Sequence, residues 1–97
     1  MSHAFHVRVE AVREFSAVAI WYDKQRKGLG LRFLEDLQRC FTFIRENPHG
    51  FQVRKERFRH AMLDDFPYRV VFKLKGKDVF VYQVRHTSRR PSKRFGP

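Results

Sequence analysis

Ninety-seven residues, 42% apolar and 15% aromatic with eleven Phe, make one small domain with a modest core and little interior for a deep substrate pocket. No stretch is long and apolar enough for a membrane span or a secretory signal, and the single Cys40 excludes an internal disulfide framework and a cysteine-cluster metal site, so a cytoplasmic location is expected. The formal net charge is +11, and residues 51–97 carry thirteen basic against four acidic side chains, an imbalance that favours an acidic macromolecular partner over mere solubility.

In chain order, Phe5, Val7 and Val9 alternate with His6, Arg8 and Glu10, the pattern of a short half-buried strand. The period then lengthens. Val12, Phe15, Ala19 and Tyr22 recur every three or four residues, flanked by Val18 and Trp21, and predict a helix to about Arg26 with Trp21 and Tyr22 in the core. Gly28 and Gly30 supply a helix stop and a permissive reversal. A second helix follows, with Leu34, Leu37, Phe41 and Ile44 on one stripe and Phe33 beside it, and it ends at Pro48 and Gly50.

Residues 51–63 mix Phe51, Val53, Phe58 and Met62 with six polar or charged side chains at positions 54–57, 59 and 60, and read as a loop and an unevenly exposed strand. Asp64, Asp65 and Pro67 mark a turn. The next strand, 68–74, places Tyr68, Val70, Phe72 and Leu74 on one face. Residues 75–78 form a short hairpin connection, and strand 79–86 sends Phe80, Tyr82, Val84 and His86 one way and Val79, Val81, Gln83 and Arg85 the other. Residues 87–97 are a basic tail. The expected architecture is α+β in the order β-α-α-β-β-β: a helical hairpin on one face of a small, mainly antiparallel sheet, with the position of the first strand left open.

Chemistry has few places to reside. His3, His6, His49, His60 and His86 form no familiar metal motif, Gly28 and Gly30 follow no strand as a nucleotide fingerprint requires, and Ser16, Ser88 and Ser92 lack a nucleophile-elbow context. No metal and no cofactor are expected. What remains is acid/base or electrostatic work on the open face of the sheet. Cleaving RNA through its 2′-hydroxyl needs a base, an acid and cations around phosphorus. Glu56 offers a base, His86 either role, and Arg59 and Arg69 hold phosphate. Each has a plainer reading: His86 bonding backbone at a strand end, Arg69 paired with an aspartate, Arg59 and Glu56 as solvated surface. Arg85, Arg89, Arg90, Lys93 and Arg94, five basic side chains with no acidic one after position 84, are the main electrostatic feature, as a partner-binding segment or as a frayed charged terminus.

The segments WYDKQRKGLGLRFL (21–34), IRENP (44–48), RHAML (59–63), FPYRVVF (66–72) and RHTSRRP (85–91) occur in an order that resembles the ParE/RelE superfamily of bacterial toxin–antitoxin toxins, on its ParE or plasmid-stabilisation side. The resemblance covers nearly the whole chain. It implies a cognate antitoxin that wraps and neutralises the toxin, with operator DNA reached through that antitoxin. It also implies the ParE activity, a non-enzymatic block of DNA gyrase involving the C-terminal segment. The RelE branch instead implies cleavage of messenger RNA on the ribosome. Its YoeB-like members use a glutamate, a strand arginine and a terminal histidine–tyrosine pair. Arg69 and His86 match the arginine and the histidine, Glu56 matches the glutamate approximately, and Thr87 stands where the tyrosine would be. An inactive member that only binds antitoxin or operator DNA is a third alternative.

Overall fold

A computed structural model describes residues 4–87. Strand β1 (Ala4–Val7) leads into helices α1 (Val9–Gln25) and α2 (Leu29–Glu46), and short 3-10 turns at Pro48–Gly50 and Lys55–Arg57 precede strands β2 (Arg59–Met62), β3 (Tyr68–Lys75) and β4 (Asp78–His86). The α+β class and the element order match those read from the sequence. The four strands form one sheet in the order β1-β4-β3-β2. Strands β2, β3 and β4 are an antiparallel meander, while β1 runs parallel to β4, with Phe5 opposite Val79 and Val7 opposite Val81. That register puts the two apolar side chains of β1 on the face the helices cover, which settles where the first strand inserts.

Val9 does not extend β1. Arg8 leaves the strand in an extended conformation, donates its N–H to Val81 O and accepts from Val12 N through its own carbonyl, so the helix starts at Val9. The buried stripe of α1 runs through Ala11, Phe15, Val18, Ala19 and Tyr22. Trp21 lies outside it and is 54% exposed, against the expectation that it is core. On α2 the buried stripe is Phe33, Asp36, Leu37, Cys40 and Ile44, and Leu34 turns towards solvent. The two helices approach closely at Gly30, where a Cβ would collide with the carbonyl oxygen of Ala19. Gly28 turns the chain at φ 88°, and the Asp23 carboxylate accepts the N–H of both Gly28 (3.0 Å) and Gly30 (3.2 Å).

Phe33 is fully buried where the layers meet, with its ring centroid 5.5 Å from Phe66, 5.3 Å from Tyr68 and 5.7 Å from Tyr22. Beside it Asp36, 1% exposed, receives the backbone N–H groups of Asp64 (3.2 Å), Asp65 (2.8 Å) and Phe66 (3.0 Å). Arg39 bridges Asp36 (3.2 Å) to Asp65 (3.0 Å). A buried carboxylate is tolerated only when its lone pairs are filled, and here the β2–β3 turn fills them. Cys40 packs behind, and burial pushes its thiol up to about 12, so it remains protonated.

The β3–β4 register slips between Val71 and Phe72: Val71 pairs with Gln83 but Phe72 with Val81, leaving Tyr82 as the extra residue of a bulge. The bulge reverses the phase of β4. Val84 therefore joins Val79 and Val81 in the core, and Gln83 and Arg85 share the opposite face with Phe80, correcting the uninterrupted alternation expected for 79–86.

Asp36→Asn, which replaces one acceptor oxygen with a donor facing backbone N–H groups, is expected to lower stability by about 2 kcal/mol. Gly30→Ala is expected to cost about 1–3 kcal/mol by forcing the helices apart, and Leu34→Ala less than about 1 kcal/mol. Urea denaturation midpoints at constant m-value check all three.

Candidate functional site

The sheet has a helix-covered face and an open face, and the register decides which side chains share each. On the open face two rows cross the strands: His60, Val71 and Gln83 in one, and Met62, Arg69 and Arg85 in the next. Val71 is 1% exposed and forms the floor of this patch. Arg54 lies at the start of the turn before β2, and its charge acts on both His60 and Arg69. Phe58, Tyr82 and Lys73 continue the face towards the hairpin, with Lys73 over the Phe58 ring at 4.5 Å and Arg8 over Tyr82 at 4.9 Å.

This patch carries an excess of positive charge, met by Glu14 at Arg85 from the groove side. Directly opposed residues of neighbouring strands hold their Cβ atoms roughly 5 Å apart. Like charges placed directly opposite each other on neighbouring strands destabilise the pairing, less so where salt screens them. Among the described residues, no ion pair reaches Arg54, Arg69 or Arg85. Nε of Arg69 and Arg85, Nε2 of His60 and Oε1 of Gln83 are shielded from solvent with no hydrogen-bond partner among the described residues. The consequences show in the ionisation. Burial, then the charges of Arg69, Arg54 and Arg85, bring His60 down to about 4, so its ring is neutral at physiological pH. Burial, with Arg85 and Arg54, also lowers Arg69.

On the other side of the sheet, a groove of about 580 Å³ lies between α1 and the C-terminal half of β4, with Trp21, Tyr22, Tyr68 and His86 among its walls. Strand β1 pairs with β4 only as far as Val81. Beyond it, Glu14 of α1 takes the place of a strand and accepts the N–H of Val84 at 3.1 Å. Burial raises the Glu14 carboxyl above its ordinary value, only partly offset by that hydrogen bond and by Arg85.

The candidate residues fall into different places. Arg69 and Arg85 meet on the open face. His86 lies across the sheet from them, edge-on to Tyr68 at 5.1 Å, so Arg69 and His86 do not converge as one catalytic set would. Glu56 is exposed in the Lys55–Arg57 turn at φ 57°. Arg59 faces away from the cluster and donates Nη1–H to Phe51 O at 2.7 Å. Arg89, Arg90, Lys93 and Arg94 lie outside the described residues. Four site residues escaped the sequence reading: His60, Arg54 and Gln83 on the open face, and Glu14 at the groove. Strict alternation in β2, with Ala61 buried, would have placed His60; Gln83 was hidden by the bulge. Among the described residues, no group of three or more His, Cys, Asp and Glu side chains is placed to hold a metal ion, and no helix is long and apolar enough to cross a membrane.

A family model described as the ParE toxin of the type II toxin–antitoxin system parDE matches residues 6–91. A solved structure described as the chromosomal ParDE TA system from P. aeruginosa superposes with a TM-score of 0.77 at 14% sequence identity, covering 90% of this chain and 98% of that one. No curated protein sequence matches.

Because the folded-state value of His60 lies below its unfolded value, its contribution to stability is complete above about 6.5 and is lost as pH falls towards about 4, when the unfolded chain takes up a proton that the native ring refuses. His60→Gln is therefore expected to narrow the difference in melting temperature between pH 7 and pH 5. Arg69→Gln should raise the His60 titration midpoint seen by NMR.

Proposed function

Because this chain belongs to the ParE toxin family of type II toxin–antitoxin systems, we propose that it blocks DNA gyrase by protein–protein contact and is neutralised while a cognate antitoxin is bound. The observation that carries the choice of a binder over a nuclease is the placement of Arg69 and His86 on opposite faces of the sheet. General acid/base cleavage requires both groups within hydrogen-bond reach of one phosphate, and the plane of the sheet lies between them here. Thr87 in place of a tyrosine supports the same reading.

The antitoxin segment belongs in the groove between α1 and β4. Trp21 offers a large half-exposed ring at its rim, and the outer edge of β4 beyond Val81 is left unpaired by β1. An apolar helix face or an added strand would cover both, the usual modes of peptide capture on such surfaces. The gyrase contact is assigned to Arg85 and to the basic residues Arg89, Arg90, Lys93 and Arg94, which an acidic antitoxin segment would mask by charge.

Purified protein is expected to inhibit gyrase supercoiling and to leave ribosome-bound message intact. Inhibition should weaken about tenfold or more when Arg89 and Arg90 are both reversed to Glu. Codon-specific cleavage abolished by His86→Ala, with supercoiling untouched, would make the protein a ribosome-dependent endoribonuclease instead. Trp21→Ala should loosen a co-expressed antitoxin by about tenfold or more in calorimetric titration while the toxin's own melting temperature stays near that of the parent.

A further inference from the structure

Of the open-face cluster only Arg85 enters the surfaces just described, through the gyrase contact and the wall of the groove; Arg54, Arg69 and His60 have no role there. Its composition is unusual for idle surface. Arg54, Arg69 and Arg85 converge beside His60; Glu14 acts on Arg85 from the groove side, but among the described residues no ion pair reaches any of the three, and residues 88–97 contain no acidic side chain. Guanidinium groups left to solvation spread apart. Here the β3–β4 register fixes Arg69 and Arg85 directly opposite each other, with their Nε atoms shielded and unbonded.

We infer that Arg54, Arg69, Arg85 and His60 form an oxyanion site on the open face of the sheet, built for the doubly charged phosphate of a phosphomonoester such as a 5′-nucleotide or a nucleic-acid end. The charge count selects the ligand. A single carboxylate brings one charge and two oxygens, and leaves two of three guanidinium groups uncompensated. A backbone phosphodiester likewise brings one charge and two free oxygens. A phosphomonoester brings nearly two charges and three terminal oxygens, enough for forked hydrogen bonds from more than one arginine. His60, neutral because it is buried among these cations, adds a ring N–H donor without a fourth repelling charge. Gln83 Oε1, a shielded acceptor with no partner among the described residues, would accept a hydroxyl next to the phosphate, as a ribose carries, once the side chain turns towards the ligand.

The test is calorimetric titration of the antitoxin-free full chain at low salt with inorganic phosphate, a 5′-mononucleotide, a short single-stranded oligonucleotide with and without a 5′-phosphate, and a glutamate-rich peptide. The 5′-mononucleotide is expected to bind with a dissociation constant below ~1 mM and more tightly than inorganic phosphate, and the 5′-phosphate should strengthen oligonucleotide binding. Arg69→Gln and Arg85→Gln should each weaken the mononucleotide by about tenfold, while Arg13→Gln on the exposed side of α1 leaves it unchanged. Both open-face variants should also melt higher than the parent in chloride buffer, because each removes a repelling charge; a purely structural arginine would melt lower. Inorganic phosphate binding as tightly as the nucleotide would remove the ribose from the proposal and leave a free-phosphate site. The proposal is overturned by equal binding of the two oligonucleotides, by capture of the acidic peptide in place of the nucleotide, or by titrations that Arg69→Gln and Arg85→Gln do not alter.

Discussion

The carboxylate of Asp36 holds the helical layer to the sheet. It sits on α2 with almost no solvent contact, and three consecutive backbone N–H groups of the β2–β3 turn converge on it. A charge in that position would be prohibitive without such partners. With them, it converts the turn from a mobile connection into a fixed corner. Phe66 and Tyr68 are delivered from that corner onto Phe33 and Tyr22, so the aromatic core and the start of β3 are set together. The rotation of α2 follows as well: Phe33, Asp36, Leu37 and Cys40 face inward, and Leu34 is displaced outward.

The bulge at Tyr82 then determines what each face of the sheet contains. Without the extra residue, Val84 would leave the core and Arg85 would enter it. With it, Val84 packs inward and Arg85 stands opposite Arg69 in the open. Bulges recur next to functional sites because they re-aim a side chain without disturbing the rest of the strand. The same irregularity also separates Arg69 from His86. One backbone feature thus favours a cationic binding patch over an acid/base pair.

The molecule divides its chemistry between two surfaces of opposite character. The groove along α1 is aromatic, with a desolvated carboxylate, Glu14, standing in for a missing strand. The open face is cationic, and its His60 is kept neutral by its neighbours. Both carry local costs to stability: a half-buried carboxyl with a raised ionisation range on one side, mutually repelling guanidinium groups on the other. Costs of this kind persist where a bound partner relieves them. That agrees with a toxin that spends part of its life under an antitoxin.

Composition and periodicity by themselves determined the class of the fold, the helical hairpin, the inward face of β3 and a short hairpin connection around Gly76, because each depends on local spacing within one element. The ordered motifs also carried the family. The identity of Arg69 and Arg85 as candidates was legible from strand alternation and charge. Their partnership was not: it needed the β3–β4 register, a pairing between residues sixteen apart whose phase a single extra residue reverses. Periodicity gave no sign of the buried Asp36, since its acceptors are filled by N–H groups from a turn about thirty positions away. Trp21 looked like core because its spacing suited the stripe, but the close approach of the helices at Gly30 and Ala19 fixes the rotation of α1 and turns that ring outward. Sequence sets what each segment prefers; only tertiary contact, through register and desolvation, decides which groups meet.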